Sequence, residues 1–558
     1  MAFKGEQKGE EFLIKVRREE EESRAKLLAE KIGFPYLNLA FIPIESDALK
    51  LIPKEKAEKT KAAIINREVK TLHLAVLNPN DKETQSLIAE LQKSGFMIKI
   101  FIVSKNSLEK ALSHYIPFKE IKKITGQVEI SNEILINLQK EISDIKALQQ
   151  VLENLFKEKA SQIVEAILAG ALILKASDIH FEPEKEKIRI RLRLDGVLED
   201  ITNAPPSIYS SVLNRIKLLS GLKLNIYEKA QDGRFSIFSD DDAVEIRTSV
   251  LPGAYGENIV MRILDPRVIK IDLDALGIRE DDLKIINQEL RKPTGIILTT
   301  GPTGSGKTTT LYAFIKKILT PDIKIITIED PIEYHIEGVS QTQVEPDKGY
   351  TFENGLRSIA RQDPDVILVG EIRDYETAEI AMHAALTGHL VFSTLHTNDA
   401  VGVIPRLIDL GIKPPIIAPA INLLMAQRLL RRVCQKCAKK RLLTKEELQN
   451  FKKILNNLPP RVKLEKELNE KIQILEPFGC KDCHNGYSSR IAVLELFEIN
   501  NEMEDLILNS PTEIQIKTVA QKAGFVTMMQ DAVIKIINGI TTIGEVERVL
   551  GSIRAGED

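Results

Sequence analysis

The run Gly301-Pro-Thr-Gly-Ser-Gly-Lys-Thr308 constrains the fold more than any other stretch of this 558-residue chain. It fits G-x-x-x-x-G-K-[ST], follows the apolar, β-branched segment Gly295 to Thr300, and precedes a helical pattern. A glycine-rich turn between a strand and a helix is the context in which this pattern forms a phosphate-binding loop. Gly304 and Gly306 let the backbone curl so that N–H groups point at phosphate oxygens, and the helix starting near Lys307 adds its dipole. Lys307 is placed to reach the β- and γ-phosphates, and the Thr308 hydroxyl to bind Mg²⁺. Gly301, Pro302, Thr303, Gly304, Ser305, Gly306, Lys307, Thr308 and Thr309 form the expected nucleotide cradle.

Two further apolar strands follow. Ile323 to Ile328 ends in Glu329-Asp-Pro-Ile-Glu333, and Val366 to Val369 ends in Gly370-Glu371. Both put carboxylates at strand C-termini, where ligands bind in open α/β sheets. Glu333 there also reads as a helix N-terminal carboxylate favoured by the macrodipole. Gly370 stands where many nucleotide hydrolases carry Asp, so magnesium coordination is not legible from this strand.

The remaining chain divides by pattern. Residues 1–32 read as a charged N-terminal helix, 33–118 as a small α/β domain in which short strands alternate with helices, and 119–150 as a polar linker. Residues 151–268 form a further domain: Ile188, Ile190, Leu192 and Leu194 alternate with Arg189, Arg191 and Arg193, the period-two signature of a strand with one buried face. Residues 272–430 hold the phosphate loop, 431–491 the cysteines, and 492–558 a helical C-terminal part.

All four cysteines fall in two CxxC pairs, Cys434–Cys437 and Cys480–Cys483. Two such turns present four thiolates, the ligand set of a structural zinc site, and the long intervening loop costs only about 0.6 kcal/mol per doubling of length. Reduced thiols without metal are the alternative to that site. Lys and Arg total 77 against 80 Asp and Glu, a net charge of −3, which argues against a general nucleic-acid binder. The longest apolar stretches, such as Ile416 to Ala426, are interrupted and fall short of the ~20 residues of a spanning helix. The first thirty residues lack the apolar core of a signal peptide, so a cytoplasmic protein is expected, held at a membrane through partners.

Four motifs then fall in one order: GPTGSGKTTT (301–310), TIEDPIEY (327–334), RQDPDVILVGEIRD (361–374) and GHLVFSTLHTNDA (388–400). The series resembles the secretion ATPase superfamily that powers type IV pilus assembly and type II secretion. ASDIHFEP (176–183), QDGRFS (231–236) and GENIVMRILD (256–265) resemble the domain that precedes the motor in that family. The resemblance implies a RecA-like P-loop motor domain preceded by an α/β, PAS-like domain. It makes Glu333 the residue that orients or deprotonates water and Glu371 the Walker B glutamate, for which a preceding Gly is the normal variant. It makes His389 and His396 the histidine box, with His396 the γ-phosphate sensor, and Arg234, Arg247 and Arg262 arginine fingers. An ordinary surface ion pair with Glu245, on the same strand face, is the alternative for Arg247; Asp178 and His180 read as packing or hinge residues.

IGFPYLNL (32–39) and LHLAVLNPND (72–81) resemble the N-terminal domain of the assembly ATPases, which contacts inner-membrane or adaptor proteins. Some members bind cyclic di-GMP through an Arg-Leu-Gly motif at the N-terminus, which Phe12 to Arg17 does not match. Within the family the cysteine module marks assembly and secretion motors rather than retraction motors. The implied protein is a homo-hexameric ATPase using ATP, Mg²⁺ and Zn²⁺. It drives pilus extension against an inner-membrane platform protein, with type II secretion as the alternative. A nucleotide-dependent assembly subunit that hydrolyses nothing is the rival from another class, and it need not keep both Glu333 and Glu371.

Overall fold

The computed structural model describes residues 20–39, 46–49, 51–52, 54–68, 71–93, 96–113, 127–129, 138, 140–239, 242–265 and 272–553. Residues 1–19 of the charged segment and most of the stretch read as a linker lie outside them. The chain divides into a unit of residues 1–123 and a larger one of residues 124–558.

In the first unit β1 (Ala62–Glu68) runs antiparallel to β2 (Thr71–Val76), which pairs parallel with β3 (Met97–Ile102). Parallel neighbours need a crossover, and the helix Lys82–Lys93 supplies it. Leu87 and Leu91 of that helix pack with Leu72 and Leu74 on one face, while Leu108 and Ala111 of the helix Lys105–Ser113 cover Ala63 and Ala75 on the other.

The second unit opens with a seven-stranded sheet. Its strands are β4 (Gln127–Glu129), β5 (Asp178–Pro183), β6 (Ile188–Leu194), β7 (Val197–Ala204), β8 (Gln231–Ser239), β9 (Asp242–Gly253) and β10 (Gly256–Leu264), in the order β4-β8-β9-β10-β5-β6-β7. All pairings are antiparallel except β4 with β8. Thus Gln127–Glu129, within the polar stretch 119–150, extends this sheet, and the helix Ile145–Leu155 joins its core through Leu148 and Leu152. The helices Ala160–Ile173 and Pro206–Leu219 complete that core against Ile188, Ile190, Leu192 and Leu194. Burial of one face only leaves the other free for charge, and β6 presents Arg189, Arg191 and Arg193 there.

A second seven-stranded sheet follows: β11 (Gly295–Thr300), β12 (Ile325–Glu329), β13 (Ser340–Gln343), β14 (Val366–Val369), β15 (Leu390–Leu395), β16 (Ile421–Val433) and, after the two-stranded β17 (Lys439–Leu442) and β18 (Gln473–Glu476), β19 (Tyr487–Glu498). The order is β13-β12-β14-β15-β11-β16-β19, all parallel but for the last pair. β11, β12, β14 and β15 are buried residue by residue, as parallel strands covered on both faces must be, which is why they read as unbroken apolar runs. The apolar stretch at Ile416 to Ala426 is split between the helix Pro414–Ala420 and β16. Among the described residues no helix is long and apolar enough to cross a membrane.

Candidate functional site: a phosphate loop faced by carboxylates and arginines

The phosphate loop joins β11 to the helix Lys307–Ile318. Gly306 stands at that helix's N-cap with φ 88° and no side-chain cap, so the first-turn N–H groups stay open to an anion. Gly301, at φ 140°, presses against β16: a Cβ there would lie 2.4 Å from the Gln427 carbonyl oxygen. Lys307 Nζ folds back onto the carbonyls of Gly301 at 2.7 Å and Pro302 at 3.2 Å. Burial pushes its ammonium down from the ordinary lysine value, opposed by the Glu371 and Glu333 carboxylates. Ser305 Oγ is buried with no partner. A short-solvated lysine, an uncapped helix end and an orphaned hydroxyl are complementary to a polyphosphate, and Thr308 sits in the first turn where a Mg²⁺ ligand would stand.

Strand order decides which groups face this loop. β15 lies between β11 and β14, and β12 lies beyond β14. His396, Glu371 and Glu333 all follow the C-terminal ends of these parallel strands, the same edge as the loop. Glu371 accepts from His396 Nε2 at 3.3 Å and pairs with Arg373. Gly370 lies against β12, where a Cβ would come within 3.3 Å of Glu329 Cα and the Ile328 carbonyl oxygen, so a larger residue would push the two strands apart. Burial raises the Glu333 carboxyl above the ordinary glutamate value, with Arg247, then Arg262, and Lys307 pulling the other way.

His389 is not brought to this edge. It precedes β15, at the end of the strand opposite His396, and its Nδ1 lies 2.9 Å from the Ala384 carbonyl. Six extended residues span about 20 Å, too far for both histidines to serve one phosphate. The two histidines of the expected box therefore stand at opposite ends of one strand, with His396 at the edge that carries the phosphate loop.

The arginines arrive from the other sheet. Arg234 on β8, Arg247 on β9 and Arg262 on β10 occupy one cross-strand row, continued by Asp178 on β5 and Arg193 on β6. The Arg247 guanidinium donates to the Ile332 carbonyl, the residue before Glu333, and its Nε also bonds Glu245 at 3.3 Å. Arg262 donates to Asp178 at 3.0 Å, and Arg193 pairs with the same carboxylate at 3.3 Å. Arg234 is exposed on the same face.

Three buried side chains, of which only Glu329 falls within a motif, build the floor. Gln427 on β16 accepts from the buried Thr310 hydroxyl at 2.7 Å, and its amide nitrogen lies where a Cβ on Gly306 would come within 2.8 Å. Glu329 accepts from Tyr312 of the loop helix, from Thr327 at 2.6 Å and from Gln341 at 3.1 Å, tying β12 to that helix. Glu495 on β19 accepts from the Ala400 N–H at 2.8 Å and the Met528 N–H at 3.0 Å, pinning the loop after His396. Gln427 and Glu495 lie about a hundred residues from Thr310 and Ala400, and a buried polar residue in an apolar strand was the one available signal.

The four cysteines converge. Their sulfurs lie within 4.8 Å of one another, with Cys434–Cys480 at 3.9 Å, Cys437–Cys483 at 3.7 Å and Cys480–Cys483 at 3.6 Å. A tetrahedron with Zn–S bonds of about 2.3 Å has edges of about 3.8 Å. The N–H groups of Gly479 and Cys480 point at the sulfurs of Cys437 and Cys483, at 3.3 and 3.1 Å, as they would toward thiolates. The donor set fits zinc.

A phosphate loop on a RecA-like parallel sheet, faced by two carboxylates and by arginines of a preceding domain, defines a nucleoside-triphosphate hydrolase. Comparison with known proteins names its family. The model for the type II/IV secretion system protein family matches residues 155–548, and that for the MshEN domain residues 32–121. The type IV pilus assembly ATPase PilB of Myxococcus xanthus is 35% identical over 96% of this chain and 92% of its own length. The type II secretion system protein E of Xanthomonas campestris is 41% identical over 73% of this chain and 69% of its own. The ATPase DotB of Legionella pneumophila shares the fold, with a TM-score of 0.51 at 21% identity over 70% of this chain and 95% of that one. The chain belongs to the type II/IV secretion system protein family and is an ATPase of that family.

Proposed function

We propose that this protein is a Mg²⁺-dependent hexameric motor whose ATP hydrolysis drives extension of a type IV pilus or a related pseudopilus. The observation that supports the reading is the hydrogen bond from the Arg247 guanidinium to the Ile332 carbonyl, the residue before Glu333.

Glu333 holds the attacking water and takes its proton, a role suited to a carboxyl raised by burial. Lys307 leaves the loop carbonyls for the β- and γ-phosphates. His396 reads the γ-phosphate through Glu371, to which it is bonded. Thr308, with Glu371 nearby, would hold Mg²⁺, which when bound would supply positive charge to the phosphates. Arg247 and Arg262, with Arg234 beside them, supply positive charge to the phosphoryl group in transfer; the planar fork of arginine suits phosphate oxygens. Closing and opening of the cleft between the two sheets then converts hydrolysis into rigid-body motion. Cys434, Cys437, Cys480 and Cys483 hold a structural zinc.

The match to a pilus assembly ATPase runs through nearly the whole chain, N-terminal domain included, which favours pilus extension. The higher identity to a type II secretion protein over the shared part keeps secretion as the second reading. The platform and adaptor partners lie at the inner membrane, the adaptor on the N-terminal domain, and the motor works from the cytoplasm. Deleting the gene tests the reading: loss of surface pili with secretion intact supports it, and loss of secreted enzymes with pili intact replaces it by the second.

A further inference from the structure

The arginine-bearing sheet touches the rest of its unit at a second place, through the hairpin of β6 and β7. β6 and β7 are joined by the two-residue turn Asp195-Gly196, with φ 48° and 85°, the tight hairpin that Asp-Gly favours. Asp195 Oδ2 accepts from the Ser489 N–H at 3.1 Å, and Glu199 Oε1 from the Asn485 side-chain amide at 2.9 Å. Both donors follow Cys483 within six residues, at the mouth of the cysteine module, and both sit at positive φ, 49° for Asn485 and 68° for Ser489. Non-glycine residues rarely adopt that backbone, and two of them aimed at one hairpin are a shaped contact.

We infer that Asp195, Glu199, Asn485 and Ser489 form a latch that positions the arginine row for hydrolysis. The link runs through the sheet. Arg193, two residues before the turn, shares Asp178 with Arg262, and Arg262 is the cross-strand partner of Arg247. Three strand spacings separate Arg193 from Arg247, about 14 Å, so the domain is held at two footholds on one rigid sheet. One is the latch; the other is Arg247 on the Ile332 carbonyl. Both latch bonds are exposed, so each shifts the closed population only by a factor of about 2 to 10, enough to bias closure and weak enough to release in every cycle. The latch residues act through the sheet as positioning residues, and the inference rests on the arginine-finger reading above.

The test uses variants that respect the backbone. Asp195→Gly keeps the turn and deletes the acceptor, whereas Asp195→Asn keeps both turn and acceptor; Asn485→Gly keeps positive φ and deletes the donor. Full-length protein is assayed for kcat, for ATP affinity by equilibrium titration, and for hydrogen exchange of the Ser489 amide. The latch requires kcat to fall about two- to tenfold in Asp195→Gly and Asn485→Gly with ATP affinity kept. It also requires Ser489 exchange to quicken in Asp195→Gly, and Asp195→Asn to restore both rate and protection. Wild-type kcat in both glycine variants overturns it, as does an Asp195→Asn variant as slow as Asp195→Gly. Wild-type turnover by Arg247→Ala would instead sink the arginine reading, so the two failures are distinguishable.

Discussion

Arg247 and Arg262 face each other across β9 and β10 as direct cross-strand partners, and the charges of both act on the carboxyl of Glu333. Two like charges opposite each other on a sheet are unfavourable unless something anionic shares them. Asp178 takes part of Arg262, and Glu245 together with the Ile332 carbonyl takes part of Arg247. A γ-phosphate beside Glu333 would satisfy the rest. Arg247→Ala is therefore expected to keep ATP affinity within a few-fold and to lose roughly 10³-fold in turnover, the range of an arginine finger. Turnover by assembled protein at saturating ATP is the measurement, and an unchanged rate would reject the role.

Glu333 offers a pH signature. Burial raises its carboxyl above the ordinary glutamate range, and Arg247 opposes the rise. A general base works deprotonated, so kcat should climb as pH rises through the raised value and level off above it. Removing the Arg247 charge removes a force that lowers the pKa, so the residual activity of Arg247→Ala should rise at higher pH than wild type. Glu333→Gln should bind ATP and stall. A profile that does not move in Arg247→Ala would separate the two residues electrostatically.

Much of this was legible because it is local. The phosphate loop is a strand, a glycine turn and a helix in sequence; the alternation from Ile188 to Leu194 announces one buried face; two CxxC turns announce four sulfurs. What depends on register was not. Arg234, Arg247 and Arg262 are 13 and 15 residues apart in sequence, and only the pairing of β8 with β9 and of β9 with β10 brings them into one row. Register is set by turns and bulges, which pattern reading resolves poorly. The separation of His389 from His396 has a simpler cause: the two bracket a strand, and an extended strand separates its ends. Gln427 and Glu495 were invisible because their partners, Thr310 and Ala400, are about a hundred residues away.

The cysteine cluster makes a compositional prediction. Purified protein should carry one zinc per chain, seen by native mass spectrometry, and Cys483→Ser should lose it. Because the cysteines join β16 to the start of β19, two neighbours in the motor sheet, metal removal by a chelator should also lower the melting temperature. Protein free of zinc with four reactive thiols and an unchanged melting point would remove the site.

Gln427 carries the last prediction, and it isolates the floor of the phosphate loop from its chemistry. The side chain is buried on β16, accepts from the Thr310 hydroxyl at 2.7 Å, and sets its amide nitrogen against Gly306. Truncation to Ala leaves the Thr310 hydroxyl buried without its acceptor, which costs about 1–3 kcal/mol, and opens space beneath the loop. A loop free to sag holds its N–H groups less well aligned on phosphate. Gln427→Ala should therefore weaken ATP binding by roughly tenfold while leaving kcat at saturating ATP near wild type, because no group that acts on water or the γ-phosphate has moved. Gly306→Ala attacks the same contact from the other side. Its Cβ would sit 2.8 Å from the Gln427 amide nitrogen at a φ of 88°, so it should weaken binding further. Combining Gly306→Ala with Gln427→Ala should recover part of that loss, since the clash goes with the amide while the strain at φ remains. Equilibrium titration with a fluorescent ATP analogue measures all three variants. A double variant that binds as weakly as the product of the singles would show that Gln427 and Gly306 act independently, against the contact described here.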